Sequence, residues 1–181
     1  MIGFFKRSID LVLLATLSPV FLVLFLLIYC LLISKKNPIF KQKRIGFKEK
    51  EFTIYKFKTI EDEKVINAFC LFLRKSNLDE IPQLLNVLKG EMSWIGPRPL
   101  LPEYLPKYTL EQRKRHLVRP GLTGWAQVNG ANSLNWKDRL EKDVYYADNQ
   151  SFVLDFKIFF LTFLLPFKKE DNNHFSEKFE G

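Results

Sequence analysis

The chain has 181 residues, with 28 lysines and arginines against 20 aspartates and glutamates, and carries a net charge of +8. This length fits one domain with its own core, and the basic balance indicates an anionic partner, such as a phosphorylated substrate or an acidic membrane surface. The two cysteines show no metal-ligand spacing or disulfide framework, and the 18 phenylalanines, several of them near apolar segments, favour a membrane over nucleic acid.

A long apolar run occupies residues 11–34. It is long enough to cross a bilayer and longer than the apolar core of a signal peptide. Pro19 lacks an amide hydrogen and predicts a kink, where Ser18 can bond the carbonyl that is left free. The run has basic residues on both sides, and positive charge prefers the cytoplasmic side. Composition leaves a re-entrant helix-break-helix and a kinked spanning helix nearly balanced.

The next segments predict a β-hairpin and two helices. Residues 38–59 indicate two strands around a turn near Gly46, with a slip in the apolar phase that predicts a bulge or very short strands. Helical spacing predicts a helix over residues 66–75. In the following helix, Pro82 belongs in the first turn, which makes Asp79 the predicted N-cap, and Gly90 the predicted C-terminal stop.

The second half begins with a basic helix from residue 109, whose charged residues 113–116 are expected to face solvent. A type II turn is predicted at residues 119–121, in a glycine-containing loop where the backbone can approach a ligand. Residues 134–148 predict another helix. The apolar segment 152–167 is too short for a comfortable span and predicts a buried or interfacial helix.

These elements predict an α+β, mainly helical fold in one small membrane-associated domain. Residues 1–36 form the predicted re-entrant membrane helix, residues 37–167 the catalytic domain with a short β-hairpin and interfacial amphipathic helices, and residues 168–181 a polar tail.

The Asp79-Glu80 pair carries the candidate chemistry, although on these two residues alone a helix cap is the better interpretation. A carboxylate at a helix N-terminus stays ionised and can attack phosphorus, provided that cations or a metal neutralise the phosphate oxygens. Glu80 is an oxygen ligand suited to Mg²⁺, and Arg98, between two prolines, offers a fork for phosphate. Taken singly, Lys56, His116, Asp143 and Asp155 are ordinary surface or ion-pair residues.

Several stretches in fixed order nevertheless carry a specific resemblance. They are Ser18-Pro19, 54-IYKFKT-59, 78-LDEIPQLLNVLKGEMSWIGPRPLLPEYL-105, 116-HLVRPGLTGWAQVNG-130 and 143-DVYYADNQSFVLDFKI-158. Across nearly its whole length the chain resembles the monotopic bacterial phosphoglycosyl transferases, or bacterial sugar transferases. Its small size is similar to the members that consist only of the catalytic domain, such as the initiating enzyme of bacterial N-glycan assembly.

The resemblance implies transfer of a phospho-sugar from a UDP-sugar to a polyprenol (undecaprenyl) phosphate, giving polyprenyl-diphospho-sugar and UMP. It implies that Asp79 is the nucleophile, that Glu80 helps to hold Mg²⁺, and that Arg98 lies at the nucleotide and phosphate. The further substrate-binding positions that it implies are Lys56, Arg119, Asp143 and Asp155. It also implies that Ser18 and Pro19 break a re-entrant helix, which favours that topology.

A ping-pong reaction through an aspartyl phospho-sugar follows from this hypothesis, at the cytoplasmic face of the bacterial inner membrane. Direct attack by the lipid phosphate and a non-catalytic membrane adaptor remain alternatives, whereas no nucleic-acid partner is expected. A homodimer is compatible with the sequence. The donor sugar stays open between N,N'-diacetylbacillosamine and other UDP-N-acetyl sugars, since Ala131 replaces a frequent arginine and the segment after Thr59 is short.

Overall fold

A single long helix, α1, leads into a domain of short helices and strands. The computed structural model describes residues 2–33, 37–61, 64–130, 134–164 and 179. The helices are α1 (Ile2–Leu32), α2 (Ala68–Lys75), α3 (Leu84–Lys89), α4 (Leu110–Arg113), α5 (Trp125–Val128), α6 (Trp136–Asp148) and α7 (Phe152–Leu164). The strands are β1 (Ile39–Ile45), β2 (Glu51–Phe57), β3 (Ile60–Glu61), β4 (Lys64–Val65), β5 (Ser93–Ile95) and β6 (Gly121–Thr123). The mainly helical α+β class is confirmed.

Helix α1 is long and apolar enough to cross a membrane by length and composition, and most of its side chains are not covered by the rest of the protein. It runs on through Pro19, so the predicted break is a gap in the hydrogen bonding rather than an interruption of the helix. Pro19 cannot donate to the carbonyl of Ala15 four residues before it. The hydroxyl of Ser18 donates to that oxygen at 2.8 Å, which confirms the predicted role of Ser18.

The β1–β2 hairpin is antiparallel and regular, with Ile39 opposite Phe57 and Ile45 opposite Glu51. The expected bulge is therefore wrong. The phase slip has another cause, because both faces of β2 are covered: Ile54 packs with Val87 and Met92, while Phe57 belongs to a cluster with α1 and α2. A strand that is buried on both faces need not alternate.

The parallel pair β5–β6 depends on close contact between glycines. A Cβ at Gly121 would lie 2.1 Å from the nitrogen of Gly96, and one at Gly124 would lie 2.1 Å from the oxygen of Gly96. Gly121 lacks the positive φ that its place in a type II turn requires, so that prediction is wrong. These glycines let one backbone segment approach another, which fixes the position of the chain that leads to Arg98.

Besides the cluster of Ile54, Val87 and Met92, three apolar clusters hold the domain together. The first joins the C-terminal part of α1 (Ile28 and Leu32) to Cys70 and Leu73 of α2. The second contains Ile95, Val118, Val128, Tyr146 and Ile158. The third contains Leu100, Tyr104, Tyr108, Leu140 and Phe179.

The remaining sequence predictions concern the cysteines, α7 and two segments. Both cysteines are free thiols, as expected. Helix α7 leaves a row of apolar side chains exposed, among them Phe156, Phe160 and Phe163, so it is not a buried helix. Ala131, the middle of the segment after Thr59, and all of the tail except Phe179 lie outside the described residues.

Candidate active site

Asp79 lies inside a short 3-10 helix, Leu78–Gln83, that runs directly into α3. Asn77 takes the N-cap position, with a left-handed φ of 56° that asparagine tolerates better than most residues. The prediction that Asp79 is the N-cap is therefore wrong, because the chain turns two residues earlier. Both Asp79 and Glu80 stand in the first turn, and Pro82 is accommodated within the 3-10 helix.

Glu80 is held by two cations from different parts of the chain. Its Oε1 accepts from Lys56 Nζ of β2 at 2.5 Å and from an Arg98 Nη2 at 2.9 Å. Arg98 reaches it from the Pro-Arg-Pro segment that follows β5. The structure thus brings together four residues predicted from the sequence, Lys56, Asp79, Glu80 and Arg98.

Asp79 differs from its neighbour in lacking such a partner. Its side chain is only 6% exposed, yet no salt bridge or hydrogen bond to its carboxylate occurs within the described ranges. Burial and the adjacent charge of Glu80 raise the pKa of Asp79 above its ordinary value. Asp79 is therefore the more basic carboxylate, with oxygen atoms that are not occupied by a cation, which suits it to nucleophilic attack.

Glu80 behaves in the opposite way. Burial opposes its ionised form, but the charges of Arg98 and Lys56 outweigh burial and lower the pKa of Glu80 to about 2. The same contact raises the pKa of Arg98. Two adjacent carboxylates with pKa values pushed apart are typical of sites where each has its own role.

Lys56, Glu80 and Arg98 open onto a small cleft, and Asp79 is not among the residues that line it. Its lining residues are Arg44, Ile54, Lys56, Glu80, Gln83, Arg98, Pro99 and Gly121. Arg44 and Gln83 were not singled out from the sequence. In the sequence, Arg44 is one of several basic residues that follow the apolar run, and no local pattern shows that the hairpin carries it into the cleft.

The donor atoms here fit Mg²⁺. In the part of the chain that the structure describes, no group of three or more acidic, histidine or cysteine side chains could hold a metal. Mg²⁺ needs fewer protein ligands, since it is commonly bound by one or two carboxylates together with substrate phosphates and water. Glu80 Oε1 is shared by Lys56 and Arg98, which leaves its second oxygen and the Asp79 carboxylate as the candidate ligands.

Asp143 lies on α6, and its carboxylate does not line the cleft. It pairs with Arg115, whose guanidinium is 2.7 Å from Asp143 Oδ2 and also donates to the main-chain oxygen of Arg98 at 2.6 Å. Arg115 is 2% exposed, so the expectation that it faces solvent is wrong. The pair acts on the site through the backbone of Arg98.

Asp155 and Arg119 also bind protein groups. Asp155 of α7 pairs with Lys6 of α1 at 2.5 Å and accepts from the hydroxyl of Tyr146 at 2.6 Å. Arg119 donates to the oxygen of Gly90 at 2.8 Å, at the end of α3, and lies over the ring of Phe47. Their implied roles in substrate binding stay predictions.

His116 is buried as well, contrary to the expectation of a solvated helix residue. It is 4% exposed, because the 3-10 helix Lys114–Leu117 packs against α6, and its Nδ1 lies 3.2 Å from the oxygen of Gly46. Burial and the charge of Arg115 lower the pKa of His116 to about 4. The ring is therefore neutral at physiological pH.

A largely buried carboxylate pair set among cations is typical of an enzyme for anionic substrates, and the domain carries one helix that is long and apolar enough to cross a membrane. The chain belongs to the bacterial sugar transferase family, whose model matches residues 1–169. This confirms the resemblance at the level of the family. The resemblance to the initiating enzyme of N-glycan assembly stays a prediction.

Three relatives illustrate the family. The uncharacterized sugar transferase EpsL of Bacillus subtilis is 47% identical over 161 residues, which cover 80% of each chain. A UDP-glucose:undecaprenyl-phosphate glucose-1-phosphate transferase of Klebsiella pneumoniae is 38% identical over 183 residues, 87% of this chain and 39% of the relative. A UDP-N-acetylgalactosamine-undecaprenyl-phosphate N-acetylgalactosaminephosphotransferase of Aeromonas hydrophila is 34% identical over 182 residues, 88% of this chain and 43% of the relative. The chain thus spans less than half the length of the last two.

Proposed function

We propose that the protein transfers a phospho-sugar from a UDP-sugar to a polyprenol phosphate and releases UMP. The observation that carries this proposal is the buried Asp79 carboxylate without a cation partner, next to Glu80, which is held by Lys56 and Arg98. The names of the Klebsiella and Aeromonas relatives, which specify this reaction for two different sugars, support it.

In the first half-reaction, a carboxylate oxygen of Asp79 attacks the phosphorus that carries the sugar. The bond from this phosphorus to the bridging oxygen of the diphosphate breaks, and UMP leaves with the electron pair. In this proposal Arg98 and Lys56, which both contact Glu80, neutralise the negative charge of the phosphate oxygens. The product on the protein is an aspartyl phospho-sugar.

In the second half-reaction, a phosphate oxygen of the polyprenol phosphate attacks the same phosphorus. The bond to the Asp79 oxygen breaks, which restores the carboxylate and gives polyprenyl-diphospho-sugar. Mg²⁺, held by Glu80, would supply charge neutralisation for the diphosphate of the donor.

The re-entrant topology belongs to the same proposal. Near its start, α1 is bound to the domain by Arg7, which donates to the oxygens of Val87 and Leu88, and by Asp10, which accepts from Ser93. Near its end, Leu32 packs in the cluster with α2. A spanning helix would carry one of these ends across roughly 30 Å of hydrocarbon, whereas both ends contact one domain. These contacts support a helix whose two ends lie on the same face of the membrane, and the basic residues on both flanks favour the cytoplasmic face.

The test is UMP release by the full chain in nanodiscs, with polyprenol phosphate, Mg²⁺ and a panel of UDP-sugars. The panel includes glucose, N-acetylgalactosamine and N,N'-diacetylbacillosamine donors. We expect release with at least one donor, loss with Asp79→Asn, and little change with Asp148→Asn, an exposed aspartate at the end of α6. No release with any donor would favour a membrane adaptor instead.

The covalent step has a separate test. Labelled UDP-sugar without lipid acceptor should give a trapped protein adduct that Asp79→Asn lacks. Intersecting initial-rate lines, together with no adduct, would favour direct attack by the lipid phosphate.

The role of Mg²⁺ is tested separately. Chelation of Mg²⁺ should abolish UMP release, and added Mg²⁺ should restore it.

A further inference from the structure

Arg44 is a third cation of the cleft. It lies one residue before the end of β1, and it lines the cleft together with Lys56, Glu80 and Arg98. The neighbouring Lys43 points to the other side of the hairpin, where it pairs with Glu51 and stays largely exposed. The hairpin therefore directs one basic residue to solvent and the next into the site.

Arg44 has no carboxylate partner within the described ranges. One Nη donates to the side-chain oxygen of Gln42, which is neutral, and the buried Nε has no hydrogen-bond partner. Glu80 is already shared by Lys56 and Arg98, and Glu103 acts on Arg44 without forming a salt bridge. A partly buried cation without an anion is costly, and an anion that enters the cleft would compensate it.

The register of the hairpin gives the order of these cations. Arg44 lies opposite Phe52 and Lys56 lies opposite Phe40, so both project from the same face of the hairpin, four residues apart. At about 3.3 Å per residue, their backbone positions are separated by roughly 13 Å along the strands. Lys56 contacts Glu80, the neighbour of Asp79, so Arg44 lies towards the other end of the cleft.

We propose that Arg44 binds the nucleotide-side phosphate of the donor, the group that leaves as UMP, while Arg98 and Lys56 serve the sugar-side phosphate at Asp79. This inference rests on the proposed function. The two phosphates of a diphosphate share one bridging oxygen, and Arg44 lines the same cleft as Lys56 and Arg98. A guanidinium offers parallel N–H donors that match phosphate oxygens, and Arg44 retains donors that no protein group takes.

Binding of UMP and of uridine to the full chain in detergent tests this role. For Arg44→Gln we expect affinity for UMP to fall roughly 10- to 100-fold, the usual effect of losing a charged hydrogen bond to phosphate. Affinity for uridine should not change, because uridine lacks the phosphate. Arg44→Lys should lie between the two, and the matched control Lys43→Gln should bind UMP like the wild type.

The half-reactions give a second measurement. Arg44→Gln should slow formation of the Asp79 adduct from UDP-sugar, and it should leave transfer from the preformed adduct to polyprenol phosphate unchanged. Equal UMP affinity in wild type and Arg44→Gln would overturn the role of Arg44. Equal loss of UMP and uridine affinity would also overturn it, since Arg44 would then support the fold. If the wild type itself neither binds UMP nor releases it from a UDP-sugar, the proposed function fails instead.

Discussion

The guanidinium of Arg115 joins Asp143 to the main-chain oxygen of Arg98, with distances of 2.7 Å and 2.6 Å. A buried ion pair thereby fixes the backbone of the residue that reaches Glu80. Removing one partner of a buried pair leaves an uncompensated charge, which costs about 3–5 kcal/mol. We expect Asp143→Asn to lower the free energy of unfolding by about this amount, measured by denaturation in detergent.

The double variant Arg115→Met, Asp143→Leu separates stability from positioning. Replacing both partners by apolar side chains is often close to neutral for stability, but no group then holds the Arg98 carbonyl. We expect the double variant to be more stable than Asp143→Asn. Its kcat should still be lower than that of the wild type, and the KM of the donor should change less than kcat. Full recovery of kcat would show that the pair has no positioning role. The exposed pair Lys114–Glu111 serves as control, and Glu111→Gln should be near neutral.

The variant Asp155→Asn tests whether Asp155 stabilises the fold or binds substrate. The carboxylate pairs with Lys6 and accepts from Tyr146, so its loss leaves a largely buried lysine without its anion. We expect the free energy of unfolding to fall by roughly 1–3 kcal/mol and the KM of the UDP-sugar to stay constant. A tenfold rise in this KM without loss of stability would instead support the implied contact with substrate.

His116 predicts a pH dependence of stability. Its pKa is about 4 in the folded chain, below the ordinary 6.5, because of burial and the charge of Arg115. Between these values the unfolded chain binds a proton that the folded chain does not, so stability is complete above pH 6.5 and falls towards pH 4. The slope should approach roughly 1.4 kcal/mol per pH unit. In His116→Gln, the free energy of unfolding measured between pH 4 and pH 6.5 should depend less on pH. A slope equal to that of the wild type would contradict the assignment.

The topology of α1 is accessible to cysteine labelling. In a Cys30→Ser background, where the remaining Cys70 is buried, Gly3→Cys and Lys48→Cys place one thiol on each side of the membrane segment. We expect an impermeant reagent to label neither thiol in intact spheroplasts and both after lysis. Labelling of one thiol alone in intact spheroplasts would show that α1 spans the bilayer.

The close backbone contact at Gly96, two residues before Arg98, predicts that this position does not tolerate a side chain. A Cβ at Gly96 would lie 2.2 Å from the oxygen of Arg119, so Gly96→Ala must displace backbone. We expect a loss of at least about 1–3 kcal/mol, the usual cost of overpacking, together with lower activity. Gly3→Ala, which meets open space, is the control. Wild-type stability of Gly96→Ala, measured by thermal unfolding, would contradict the close approach.

Local patterns predicted the parts of the fold that local forces determine. The hairpin around Gly46, the helix predicted over residues 66–75 and the stop at Gly90, whose φ is 79°, follow from turn signals, helical spacing of apolar residues and left-handed backbone preference. The motif resemblance assigned Glu80 and Arg98 to one site, whereas their direct pairing was not predicted. The pairing of Arg115 with Asp143 was missed, because packing on α6 decides which residue of the basic run is buried, and Arg44 was missed for a similar reason.

The attachment of Arg7 to the last carbonyls of α3 has a consequence for lipid composition. Helix α3 continues the 3-10 helix that carries Asp79, so α1 and the candidate nucleophile share one rigid connection. Apolar helices adjust their tilt to the thickness of the surrounding hydrocarbon layer. A change in lipid acyl chain length would therefore change the angle at which Asp79 meets a phosphate. Bilayer thickness then affects the rate of the reaction as well as the solubility of the protein.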